Sequence, residues 1–515
     1  MNGSFIDSKS ADGFRKCVAK DFAHLYVLNL RGNARTSGET FRKEGGKIFD
    51  SGSRATIAVI FFVKDKSVPN NTIHYYDIGD YLTRETKLNR LAEFEDLDSV
   101  QFETITPNAK GDWINQRNDD FEKLIPLKRD KTLQNPSVFD INSMGVTTGR
   151  DPWVYNFSKD ALMCSVQKCI DTYNADLKRF NECFREAFKQ RTKGVKLGDL
   201  YKQLNDKEIT TDKTKISWTD GLKNKLIKNQ KLPESNEECA RLSLYRPFNK
   251  QWLYWDKNWI HRQSQFSKIF PDKAAQNVVI NTCAENGKDF SALVSDFIPD
   301  YGFSSNQAYP LYCYDDWGRR DYAISGYALN LFRKHYGDDS ITEEEIFYYI
   351  YAILHHKGYL EKYKNSLKKE EPRIALSPDF KELSILGKEL AKLHLNYESG
   401  EMHESVKHTT LMNAEEKGYY DVEKMTKKGD SIIYNKNIAI TKIPKKAFEY
   451  VVNNKSTIDW VIERYQKTSD KESLIENNPN DYAGGKYVLE LLLRVIRLSV
   501  KSVDLIEKIS EKRFE

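Results

Sequence analysis

No two of the chain's 26 glycines stand two residues apart, so neither G-x-G-x-x-G nor any shorter G-x-G phosphate turn is present. No glycine pair five apart precedes a lysine, which excludes a Walker A loop and a nucleotide-driven motor of that type within these residues. Cysteine is scarce: seven, an odd number, at 17, 164, 169, 183, 239, 283 and 313, with no C-x-x-C pair. A disulfide framework or structural zinc site is therefore not expected, and a reducing cytoplasm fits. The apolar run Ala58–Val63, like every other in the chain, is too short to span a bilayer. The opening residues lack the basic-then-apolar order of a secretory signal, so no membrane partner is expected. A dominant charge sign is missing too. There are 80 Lys and Arg against 75 Asp and Glu, and a net charge of +5 is too slight to establish a polyanionic partner.

Three near-motifs fall short of an active site. His403 and His408 flank a zincin-like stretch, but at i,i+5 they do not share a helix face as i,i+4 ligands do. Gly145-Val146-Thr147-Thr148-Gly149 has the glycine spacing of a nucleophile elbow with threonine at its centre. Glu85-Thr86-Lys87, after Asp77 and Asp80, imitates a metal-dependent nuclease core. The same E-x-K recurs at Glu415–Lys417, and both read as charged surface.

The chain of 515 residues is 39% hydrophobic and 12% aromatic, enough for several cores and against wholesale disorder. Residues 22–30 and 55–63 read as near-continuously apolar strands of a sheet covered on both faces, joined by a long Gly, Ser, Arg and Lys loop. Residues 73–78 read as a further strand. A polar, Pro-containing break near 128–137 suggests a boundary. The pattern predicts a helix over about 158–191, a capping box at Ser340–Glu343 opening a helix, and a long amphipathic helix from Val488 to about Ser510.

The densest chemistry lies between Arg241 and Lys273. Seven basic residues there face two acidic ones, a surplus equal to that of the whole chain. Eight aromatics interleave with them: Tyr245, Phe248, Trp252, Tyr254, Trp255, Trp259, Phe266 and Phe270. Arg and Lys bind phosphates and read base edges, while aromatics stack on unpaired bases or hold the basic groups from beneath. The same composition also suits a buried aromatic core under a solvated face, and periodicity does not decide which side chains face outward.

The stretch Leu244-Tyr245-Arg246-Pro247-Phe248-Asn249-Lys250-Gln251-Trp252-Leu253-Tyr254-Trp255-Asp256 resembles the YRPFD-x-R-W-x-YYD signature of type ISP restriction-modification enzymes, in their C-terminal specificity region. Further segments resemble that family in the same order: Gly145–Asn156, Tyr309–Tyr312, Glu345–His355 and Thr457–Tyr465 followed by Asn478–Asp481. Asn2-Gly3-Ser4-Phe5 and the apolar strand at 55–64 resemble the end of the family's adenine methyltransferase. Among the departures from the signature, Asn249 stands for the usual Asp and Gln251 for the usual Arg. If that pair normally forms a salt bridge, here it becomes a neutral hydrogen bond; recognition of a different base sequence is the other explanation.

The resemblance implies an α/β plus α+β fold. An incomplete Rossmann-like methyltransferase sheet over 1–130 is followed by a mixed target-recognition domain over 131–340 and a helix-rich part of the specificity region over 341–515. It implies recognition of double-stranded DNA through Thr148, Arg150, Arg246, Lys250, Gln251, Arg262 and Lys268, with Trp153, Tyr245, Phe248, Trp252 and Tyr254 supporting the surface. The family's F-x-G-x-G and N-P-P-Y motifs do not occur in this chain. No cofactor is therefore expected in it; S-adenosylmethionine, ATP and Mg would belong to upstream domains, or to an upstream nuclease-helicase-methyltransferase subunit. Methyl transfer by this chain alone is not expected, because N-P-P-Y holds the flipped adenine. The competing expectation is a non-catalytic, aromatic-rich interaction scaffold, or the remnant of a truncated gene.

Overall fold

The computed structural model describes all residues except 37, 50–51, 69–70, 129–135, 285–288, 306 and 409–417. The strand His24–Arg31 lies inside a mixed four-stranded sheet. It pairs antiparallel with Ile57–Val63 and parallel with Thr72–Asp77, which in turn carries Glu103–Ile105. The helix Asp12–Asp21 covers one face, and Leu25, Val27, Leu28 and Leu30 of the inner strand are buried. The second apolar strand corrects the expectation of a sheet covered on both sides. Ile57–Val63 is an edge strand in which Phe61 is 45% exposed and Val59, Phe62 and Val63 are also open to solvent. Among the described residues no strand lies beyond it; only residues 1–3 pair with its start, so its later side chains lack a neighbouring strand to pack beside.

The charged-surface reading of Glu85–Lys87 is also corrected. Lys87 is fully buried, and its Nζ donates to the carbonyls of Leu30, Glu44 and Gly46 at 3.0, 2.7 and 2.9 Å. It thereby pins the loop after the inner strand, which contains the short helix Gly38–Glu44. Asp77 and Asp80 are both engaged by Arg31. The repeat of the motif at 415–417 lies outside the described residues, as does the 130/131 boundary.

The middle of the chain is built on a second four-stranded sheet, in the order Ile298–Pro299, Ala240–Arg246, Asn249–Tyr254, Tyr155–Asn156. The helix Lys159–Arg179 continues through a π turn at Phe180–Phe184 into Arg185–Arg191, matching the expected 158–191 helix, and a large core fills the space beneath the sheet. Beyond it, Glu343–Ile353 crosses Phe380–Leu395, and Tyr487–Ser510 lies against the latter. The capping box sits at Thr342 and Glu345, not at Ser340: Glu345 N donates to Thr342 Oγ1 at 3.2 Å and Thr342 N to Glu345 Oε2 at 2.9 Å. Ser340 turns its hydroxyl to Asp338 instead.

One apolar core joins Phe139, Tyr309 and Phe332 to Phe347, Tyr363 and Leu390, and another joins Phe248 and Leu293 to Ile458 and Leu492. A division at residue 340 is thus one of secondary-structure content, since packing runs through it. The described residues form a mixture of α and β elements with several small sheets and, among them, no closed barrel. Among the described residues no helix is long and apolar enough to cross a membrane.

Candidate nucleic-acid interface

The basic-aromatic segment folds as a hairpin whose strands, Ala240–Arg246 and Asn249–Tyr254, pair antiparallel around Pro247 and Phe248. Proline presets the first turn position, while Phe248 takes φ +56°, a left-handed conformation that normally favours glycine. Its ring is 1% exposed and packs against Tyr397 and His394, and Tyr465 Oη donates to its carbonyl at 3.1 Å. Tertiary packing therefore offsets the backbone strain.

The segment 145–149 runs alongside. Val146 bridges Asp300, and Thr147 exchanges two backbone hydrogen bonds with Arg262 at 3.1 and 2.9 Å. Gly145 is required by proximity, because a Cβ there would stand 2.6 Å from the Asp300 backbone. The elbow spacing noted in the sequence thus reflects close backbone approach at Gly145 and a left-handed φ of +70° at Gly149.

Five of the seven expected DNA-contacting side chains are committed to the protein itself. Thr148 is buried; its hydroxyl donates to the Asp151 carboxylate and accepts from Arg150 N at 3.2 Å. Arg150 is 4% exposed, donates to Thr219 Oγ1 at 2.6 Å and lies over the Trp259 ring; burial lowers its pKa to about 10, so it stays charged at neutral pH. Arg246 donates to Asp300 Oδ1 at 2.5 Å and stacks over Tyr245, 3.9 Å from its ring centre. Burial pushes the Asp300 carboxyl up to about 6 against the pull of Arg246. Lys250 Nζ donates to Glu398 Oε2 at 2.6 Å between the rings of Phe297 and Tyr397. Gln251 Nε2 donates to Asn249 Oδ1 at 3.2 Å and its Oε1 accepts from Asn477. Asn249 and Gln251, both departures from the signature, are thus joined by a neutral hydrogen bond. Groups held this way would have to abandon internal partners to reach a ligand, which is unfavourable.

The remaining two, Arg262 and Lys268, are exposed and carry no ion pair or side-chain hydrogen bond among the described residues. They belong to the loop His261-Arg262-Gln263-Ser264-Gln265 and the short helix Phe266–Ile269. Phe266 and Ile269 anchor that helix in the core. Lys268 and Gln265 line a cleft of about 710 Å³ shared with the hairpin Tyr312–Tyr322.

The five aromatics take internal places. Trp153, Phe248 and Tyr254 are buried. Tyr245 is half-buried, with its Oη donating to Asp151 Oδ2 at 3.1 Å, and Trp252 is half-buried beneath Lys159. Tyr254 Oη accepts from Asn236 N at 3.0 Å. Two exposed features went unread in the sequence: the amide of Gln265, beside the half-buried Gln263 on the 261–265 loop, and the Trp317 hairpin. A D-x-W-G turn signature at 315–318 was the available signal for the latter. All seven cysteines are free, and no cluster of three metal-ligating side chains exists among the described residues; His403 instead hydrogen-bonds the Thr441 carbonyl.

A family model described as the Type ISP C-terminal specificity domain matches residues 137–492. Among solved structures, the chain is similar to a nuclease-deletion mutant of the Type ISP restriction-modification enzyme LlaGI in complex with a DNA substrate mimic. Identity there is 38% and TM-score 0.84, covering 100% of this chain and 46% of that one. It is likewise similar to the ATP-dependent Type ISP restriction-modification enzyme LlaBIII bound to DNA, at 35% identity and TM-score 0.85, over 100% of this chain and 32% of that one. A third similarity is to DrdV in a DNA complex, at 30% identity and TM-score 0.81, over 98% and 50%. The chain therefore spans half or less of the length of these relatives. No curated protein sequence matches it.

Proposed function

The chain belongs to the Type ISP restriction-modification family, whose C-terminal specificity domain it carries over residues 137–492, and on that premise we propose that it recognises a target sequence in double-stranded DNA. The observation that carries the reading is the 261–268 segment. Its unpartnered cations, Arg262 and Lys268, stand beside planar amides on a loop fixed to the scaffold by the Thr147–Arg262 bridge. Arginine and lysine serve phosphates and guanine edges, and Gln263 and Gln265 offer the amide geometry that suits adenine. Thr148, Arg150, Arg246, Lys250 and Gln251 act from behind this surface, positioning it through the contacts described above.

Residues 1–130 are proposed as the closing part of a methyltransferase-like unit. The polypeptide that binds S-adenosylmethionine, ATP and Mg lies outside this chain, which has neither the G-x-G turn nor the N-P-P-Y that such sites use. No methyl transfer by this chain alone is expected, and its free cysteines suit the reducing cytoplasm.

The test is selection of bound duplexes from a randomised pool by the full chain, followed by affinity measurements on Arg262→Ala and Lys268→Ala. The reading expects an enriched base sequence and a loss of about 0.9 from the slope of log affinity against log salt for each phosphate contact removed. Absence of any enriched sequence, or equal losses from Lys427→Ala at a distant exposed site, would refute it.

A further inference from the structure

Seven of the eight tryptophans are buried or half-buried, whereas Trp317 is 81% exposed. It stands at the tip of the hairpin formed by Tyr312–Tyr314 and Arg320–Tyr322. The tip is rigidly organised. The Asp315 carboxylate accepts from Trp317 N at 2.9 Å, Arg319 N at 2.9 Å and Arg319 Nε at 2.7 Å, and Gly318 N donates to the Asp315 carbonyl. Gly318 takes φ +77°, a conformation that glycine allows without strain. The base is anchored by the Tyr312–Tyr322 ring contact and by Tyr314 Oη donating to the Gln276 carbonyl. The ring is therefore held outward by its turn.

Its surroundings indicate the kind of partner. The Arg319 guanidinium lies 5.3 Å from the Trp317 ring centre, and Asp316, Gly318, Arg320 and Asp321 around it are all exposed. A lone aromatic in a polar, cation-bearing rim offers little apolar area for a stable protein interface. It does suit stacking on a base or wedging against a base step. Arg319 and Arg320 line the same cleft as Gln265 and Lys268, so the tip borders the proposed DNA surface. Asp140, Asp315 and Asp321 also line that cleft and balance its three cations, which argues for contact by the tip over a phosphate lying in the cleft.

We propose that the Trp317 hairpin is a second DNA-contacting arm, with the indole packed against a base and Arg319 or Arg320 against the adjoining backbone. The inference rests on the DNA-recognition reading above. The experiment uses the full chain and duplexes that the wild type selects from a randomised pool, with Trp317→Ala, Trp317→Phe and Arg262→Ala compared. Trp317→Ala is expected to keep the wild-type melting temperature and to bind between about five- and a hundredfold more weakly. Trp317→Phe is expected to recover part of that loss. Acrylamide quenching of tryptophan fluorescence, dominated by Trp317 in the free chain, is expected to fall when the duplex is added.

Unchanged affinity in Trp317→Ala alongside weakened binding in Arg262→Ala would overturn the inference while leaving DNA recognition standing. Weaker binding accompanied by a lowered melting temperature and undiminished quenching would make Trp317 a structural residue, and would also overturn it. Failure of the wild type to select any duplex would defeat the underlying reading itself.

Discussion

Arg246 and Arg262 look interchangeable in the sequence, yet the structure assigns them opposite phenotypes. Arg246 pairs with Asp300, whose side chain is 6% exposed, and its guanidinium stacks on Tyr245. Gly302 leaves room for it, since a Cβ there would stand 2.8 Å from Arg246 Cζ. Replacing Arg246 by Met strands a buried carboxylate, a loss of about 3–5 kcal/mol for pairs of this kind. Burial already lifts Asp300 to about 6, so removing its partner drives it to take up a proton near neutrality, which places the effect towards the lower end of that range. In a cooperative unit of 150–250 residues, 3–5 kcal/mol corresponds to a fall of roughly 6–20 °C in melting temperature. Adding Asp300→Asn should return a large part of the loss, because no charge is then left unpaired. Arg262→Glu touches no internal partner, should shift stability by no more than about 0.5 kcal/mol, and should weaken duplex binding. Differential scanning fluorimetry and duplex titration on the same samples make the comparison. An Arg246→Met chain that melts like wild type but loses affinity would refute the reasoning, because it would show the guanidinium to be free for DNA.

Tyr254→Ala, which empties a core position and frees Asn236 N, should cost about 3–5 kcal/mol, with duplex affinity at low temperature intact; a normally folded variant with lost affinity would mean that the ring meets DNA. Gly387→Ala raises intrinsic helix propensity by about 1 kcal/mol, yet its Cβ would lie 2.0 Å from the Tyr348 carbonyl oxygen; circular-dichroism melts should show destabilisation, and a gain in stability would contradict the helix crossing. Burial lowers His355 to about 4 and His394 well below its ordinary value, so both are neutral in the fold but protonate in the unfolded chain. Stability should therefore be lost as pH falls below about 6.5, by about 2 kcal/mol at pH 5 from His355 alone. His355→Gln should flatten the dependence of melting temperature on pH between about 7 and 5, and an unchanged slope would remove His355 as its source.

Much of the molecule was legible along the chain because the information is local. The periodicity of 158–191 and 488–510 and the apolar and aromatic runs at 22–30 and 73–78 specify their elements without reference to the rest of the fold. The ordered motifs from Gly145 to Asp481 carried the family as well, and the family model matches 137–492. Burial was not local information. The chain at 55–63 is as apolar as that at 22–30, but sheet order puts the first at an edge. Lys87 sits in a charged sequence and is buried because three carbonyls from distant residues converge on its ammonium. The same holds for the interface. Composition between Arg241 and Lys273 revealed a surplus of positive charge, but whether each cation is free depends on partners such as Thr219, Asp300 and Glu398, which lie well away in sequence. Only the tertiary structure brings those partners in, leaving Arg262 and Lys268 turned outward, because a charge entering the interior requires a partner whereas one at the surface keeps its water.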